Sequence, residues 1–203
     1  MTLLLSLFLL LLPVQELPPR TVAGVVVEET AGDLTEREEE ALKELHRLGI
    51  SLPDTVRVQV LNDRYGSITK RGTVILSPER NRPPLGRGER PYLYGRENPT
   101  AIGRPGEAYT LLHEIAHHLQ WIMFNGRPQV FPPMWWKREK FVNPYREQTE
   151  TEADLMAAAL HEIVFDTSHK VFGYPKQLWA GDVEALVDNY KAKILDYYRV
   201  TNR

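Results

Sequence analysis

The sequence predicts a single α+β domain, and three observations carry that expectation. The chain has 203 residues, 42% hydrophobic and 26% charged, which is the length and balance of one soluble globular core rather than of a disordered or fibrous chain. Patterns of strand type occupy its first half and patterns of helical period its second, with few β–α alternations between them. No internal repeat runs through it, so a solenoid is excluded.

Residues 1–17 stand apart from this domain. Leu3 to Leu12 is apolar except for Ser6, and it gives way to Pro13, Gln15, Glu16 and the Pro18-Pro19 pair. A bilayer-spanning helix needs about 20 apolar residues, whereas the apolar core of a secretory signal needs about 7 to 15. The segment is therefore expected to be a signal peptide, with an uncleaved membrane anchor as the first alternative and a buried N-terminal strand or helix as the second. Residues 18–203 form the domain, expected to be secreted or extracytoplasmic, or held at a membrane by the N-terminal segment.

Val22 to Val27 is β-branched apart from Ala23 and Gly24 and reads as one short strand. A helix follows. Thr35 and Glu38 have capping-box spacing, Ala41, Leu42, Leu45 and Leu48 recur at helical intervals, and Gly49 ends the pattern. The acidic run Glu36 to Glu40 reads as a solvated face. Val56, Val58 and Val60 alternate with polar residues as a half-buried strand, and Thr73 to Leu76 gives another. Between Pro78 and Gly106 no periodicity survives, and Arg80, Arg82, Arg87, Arg90, Arg96 and Arg104 read as cations of a solvated loop. Three helices complete the chain. The first spans Pro105 to Phe124, with Leu112, Ile115, Leu119 and Ile122 as its stripe and Asn125-Gly126 as its stop. The second opens at Asn143-Pro144 and runs to about Phe165. The third carries Val183, Leu186, Tyr190, Ile194 and Tyr197 and is expected to seal the core.

Charge and composition narrow the chemistry. Lys+Arg number 25 against Asp+Glu 27, a formal charge of -2, which provides no basic field for nucleic acid. Cysteine is absent. Disulfides, thiolate metal sites and cysteine nucleophiles are thereby excluded, and any metal must rest on histidine and carboxylate.

The informative segment is His113-Glu114-Ile115-Ala116-His117. Residues four apart on a helix share a face, about 5–6 Å apart at Cβ, so two imidazoles can bind one zinc from adjacent turns. Glu114 is turned about 100° from His113, where it need not ligate but can reach a water at the metal's open position. A chain of this composition would carry the pattern by accident about once or twice in 100 sequences, which disfavours accident. A catalytic zinc usually takes three protein ligands, and the next helix offers Glu150 and Asp154, four apart on one face. Glu150 is the expected third ligand, and Asp154 the acceptor that fixes a ligand histidine by its free N–H. Glu152 is 200° from Glu150 around the helix. It shares a strip with Leu155, Met156, Ala159 and Ile163 that reads as core packing with Glu152 at its exposed end, so it is expected to leave zinc affinity untouched.

HExxH followed on a later helix by ExxxD resembles the gluzincins, the zinc peptidases of thermolysin-like type, closer in its Glu-x-x-Ala-Asp wording to the minimal and membrane-associated members. The match covers His113 to His117 and Glu150 to Asp154. The resemblance implies a zincin-like fold, with a small, mostly antiparallel sheet packed on the active-site helix, a second metal-ligand helix and a C-terminal helix. It implies Zn2+ bound by His113, His117 and Glu150, Glu114 as general base, and Asp154 orienting a ligand histidine. The implied reaction is hydrolysis of a peptide or protein substrate by a metal-activated water, with Glu114 passing the proton to the departing amine. His169 and Tyr174 are the candidate oxyanion donors. Phe131, Met134, Trp135 and Trp136 form an aromatic cluster that reads as core, pocket wall or membrane-interface anchor. His118 lies one position off the ligand face and reads as a surface or supporting residue. The strand Thr73–Leu76 is expected to border the cleft and pair with extended substrate. The alternative to an enzyme is a secreted or envelope-attached binding protein that keeps the fold but does not turn over.

Overall fold

A computed structural model describes residues 18–61, 67–69, 72–78, 80, 108–129, 144–166 and 183–201. The N-terminal segment 1–17 and most of the arginine-rich stretch lie outside them. Strands β1 (Arg20–Val22), β2 (Val25–Glu29), β3 (Thr55–Val58), β4 (Ser67–Thr69) and β5 (Thr73–Leu76) form one sheet in the order β1-β2-β3-β5-β4. Helix α1 (Glu36–Arg47) lies between β2 and β3 in sequence, and α2 (Tyr109–Phe124), α3 (Pro144–Phe165) and α4 (Val183–Thr201) follow the last strand. The coarse α+β expectation holds. Among the described residues no helix is long and apolar enough to cross a membrane.

The first apolar run is not one strand. Arg20 pairs with Val27 and Val22 with Val25 in an antiparallel hairpin, turned by Ala23 and Gly24 at φ 52° and 81°. Two positive φ values in a two-residue loop match the twist of the flanking strands. The signal was masked because the turn is Ala-Gly rather than Asn-Gly.

The sheet is mixed rather than mostly antiparallel. Val27 faces Val56 and Val56 faces Val74 in parallel pairings, while β1–β2 and β4–β5 are antiparallel. A strand, a helix and a strand in succession return the chain in its original direction, so α1 makes β2 and β3 parallel. The same order puts β5 inside the sheet, with both of its edges occupied by β3 and β4. Thr73–Leu76 therefore cannot accept a substrate strand. The outermost strand on that side is β4, which touches α2. Val60, read as strand, lies beyond the end of β3 and is 76% exposed.

Helix α1 starts as its capping box dictates. The Thr35 hydroxyl accepts from the Glu38 amide at 3.2 Å, and Glu38 accepts from the Thr35 amide at 2.8 Å. Glu38 is not solvated, however, and neither is Arg80. Both are buried, and the guanidinium grips the carboxylate through Nε at 2.6 Å and Nη2 at 2.5 Å. Two of its remaining donors reach the carbonyls of Ser77 and Asp33, both at 3.0 Å. A fork whose charge and four of whose five N–H groups are answered can leave water, whereas an unanswered one cannot.

The core face of the sheet carries Val25, Val27, Val56, Val58, Val74 and Leu76, and it packs with all four helices in one cluster. Helix α3 runs through the middle, against α2, α4 and α1. Its residues from Glu152 to His161 are all buried, as befits a helix covered on every side.

Candidate metal centre

Helix α2 begins later than Pro105, because Ala108 adopts a left-handed φ of 60° and accepts the first helical bond, from Leu112, at 2.9 Å. His113 and His117 consequently fall on its second and third turns. Asn125 and Gly126 end it with φ values of 53° and 69° and amides returned to Trp121 and Gln120.

The structure brings His113, His117 and Glu150 together, with one ligand atom from each within 4.8 Å of the others. Both Nε2 atoms lie 3.4 Å from Glu150 Oε2. Two donors each about 2.0–2.2 Å from a tetrahedral zinc are separated by about 3.4 Å, so the spacing suits that ion. The opposite ring nitrogens are both occupied. His113 Nδ1 lies 2.8 Å from Asp154 Oδ1, which also accepts from the Tyr109 hydroxyl at 2.5 Å. His117 Nδ1 lies 2.8 Å from the side-chain oxygen of Gln120. Oxygen acceptors at both Nδ1 atoms keep a proton there, so each Nε2 faces the carboxylate with its lone pair when the ring is neutral and with a second proton when it is charged. Three convergent lone-pair donors repel one another unless a cation or proton lies among them, so the group could hold a metal. Glu114 is buried on the same helix.

Electrostatics bind the group together. Burial opposes charging of His113, but the charge and hydrogen bond of Asp154 and the bond to Glu150 outweigh it, raising its pKa well above the ordinary value. Burial likewise pushes Glu150 up, yet the hydrogen bonds from His113 and His117 carry it far below the usual carboxylate range.

Glu152 departs from expectation. Far from sitting at an exposed helix end, it is fully buried and accepts from Gln120 Nε2 at 3.0 Å, the Gln129 amide at 2.8 Å and the Tyr190 hydroxyl at 2.5 Å. Helix α3 has no exposed flank here, so its second face meets α2 and α4 instead of water. Gln120, Tyr109 and Tyr190 went unread as site residues, although Gln120 lies three residues beyond His117, a spacing that makes helical neighbours. His118 turns away from the ligand group, with Nε2 3.3 Å from Ser51 Oγ, and burial lowers its pKa. His169 and Tyr174, like Phe131, Met134, Trp135 and Trp136, lie outside the described residues. Compared with models of protein families, with curated proteins and with solved structures, the chain matches none.

Proposed function

We propose that this chain is a zinc-dependent peptidase with a zincin-like domain, exported through its N-terminal segment. The observation that carries the reading is the 3.4 Å spacing of Glu150 Oε2 from both His113 Nε2 and His117 Nε2, with both Nδ1 atoms already committed to acceptors. His113, His117 and Glu150 would hold the ion, and Asp154 keeps the ring of His113 aimed. Zinc held there supplies a polarised water whose pKa falls towards about 7. Glu114 takes the proton of the attacking water and delivers it to the departing amine, while burial keeps its carboxylate from bulk solvent. Retention of a glutamate next to His113 favours the enzyme over a binding protein that no longer turns over.

The test is metal content joined to turnover. The purified chain is expected to carry zinc and to cleave an unstructured protein such as casein, to lose that activity on treatment with a strong zinc chelator, and to regain it with added zinc. Absence of bound metal overturns the reading, as does cleavage that survives complete chelation. Metal binding without cleavage selects the binding protein.

An extended substrate is expected to add to the sheet at β4, the outermost strand beside α2. Successive residues of a strand alternate the direction of their N–H groups, so proline at Ser67 or at Ile68 removes the outward donor in one case and the inward one in the other. One of the two is expected to raise KM with zinc retained. An unchanged KM for both moves the cleft elsewhere.

A further inference from the structure

We propose that Glu152, acting through Gln120, is the positioning residue for His117, holding the second histidine in the tautomer a metal requires. The proposal rests on the zinc reading of the site for its purpose, but not for its geometry. The Thr149 carbonyl can only accept, and it lies 2.9 Å from Gln120 Nε2. The amide nitrogen of Gln120 must therefore face it, and the same nitrogen donates to Glu152 Oε2 at 3.0 Å. That leaves the Gln120 oxygen as the amide atom facing His117 Nδ1 at 2.8 Å. An oxygen only accepts, so the proton sits on Nδ1 and the lone pair of Nε2 points at Glu150.

Glu152 locks this direction from the other end. Its Oε1 receives the Gln129 amide and the Tyr190 hydroxyl, and a main-chain N–H can only donate. The polarity of the whole chain of bonds is thus anchored by two main-chain groups, the Gln129 N–H and the Thr149 carbonyl, neither of which can reverse. His113 reaches its carboxylate directly, at Asp154. His117 reaches one through an intervening amide, and the carboxylate is fully buried where α2, α3 and α4 meet. Free rotation of the Gln120 amide would place a donor against Nδ1 and transfer the ring proton to Nε2, removing a ligand.

Glu152→Gln tests this. The introduced amide keeps its oxygen towards Gln129 and Tyr190, so its nitrogen meets the Gln120 nitrogen, and two donors face each other. Gln120 can flip away only by setting its oxygen against the Thr149 carbonyl, so neither orientation of its amide is satisfied and its hold on His117 is lost. Zinc affinity is expected to fall about 10- to 100-fold, the usual loss when a group behind a ligand is removed. In metal-free protein, at a pH where the ring is neutral, nitrogen NMR of His117 is expected to show the Nδ1–H tautomer giving way to a mixture with the Nε2–H form. Should that variant fail to fold, Gln120→Met removes the acceptor while leaving a side chain of similar length, and is expected to lose the Nδ1–H form and zinc affinity together. Unchanged affinity with the Nδ1–H tautomer retained overturns the proposal. Lost affinity with that tautomer intact also overturns it, since Glu152 would then be structural only. A wild-type chain that binds no zinc defeats the proposed function instead, and the metal-free spectra still report on the relay.

Discussion

Glu114→Gln is expected to keep its zinc and to lose peptide hydrolysis by about 10²- to 10⁴-fold, the range associated with a positioned proton acceptor. The amide matches the carboxylate in shape, and Glu114 is not one of the three residues that converge, so His113, His117 and Glu150 are expected to keep their arrangement. What disappears is the ability to take a proton from the attacking water and return it to the departing amine. Parallel measurement of bound zinc and of kcat/KM on an unstructured protein separates the two effects. Wild-type turnover in this variant sinks the mechanism, and loss of metal means that Glu114 supports the ligands rather than the reaction.

Arg80→Met is expected to cost about 3–5 kcal/mol of folding stability, because it strands the buried Glu38 carboxylate without its cation. The guanidinium and carboxylate side chains are 2% and 0% exposed, so water cannot replace the partner. Glu38 also serves the helix cap, accepting from the Thr35 amide. Glu38→Gln retains that acceptor while removing the charge, and combined with Arg80→Met it is expected to recover most of the loss. Denaturant midpoints of the single and double variants give the coupling directly. A single-variant loss below about 1 kcal/mol would put the pair in the class of surface ion pairs.

The shared faces of His113 with His117 and of Glu150 with Asp154 were legible because their geometry is local. Spacing of four on a helix fixes a shared face whatever the rest of the chain does. Glu152 was misread for the opposite reason. A face argument presupposes that a helix has a wet side, and α3 has none from Glu152 to His161. Its partners Gln129, Gln120 and Tyr190 are 23, 32 and 38 residues away, beyond the reach of any periodicity. Arg80 and Glu38, 42 residues apart, each sat in a charge-rich stretch where nothing local marks one member as buried. The parallel pairing of β2 and β3 was implicit in the order strand, helix, strand, but the weight of helices after residue 105 drew the reading towards segregated elements. The Ala23-Gly24 turn lacked the asparagine or aspartate that usually announces a hairpin.

Helix α3 gives the ligand group an uneven dynamic setting. Amides of a helix with no solvent flank exchange with water only when the whole domain opens, whereas those at a half-exposed end exchange through small local openings. Glu150 stands just outside the buried stretch, its side chain 33% exposed, while the side chains of His113 and His117 are 16% and 15% exposed. The three side chains thus line the boundary between a fully buried helical segment, expected to exchange slowly, and open water. On the proposed reading, a substrate would reach the three side chains without the frame behind them having to unfold.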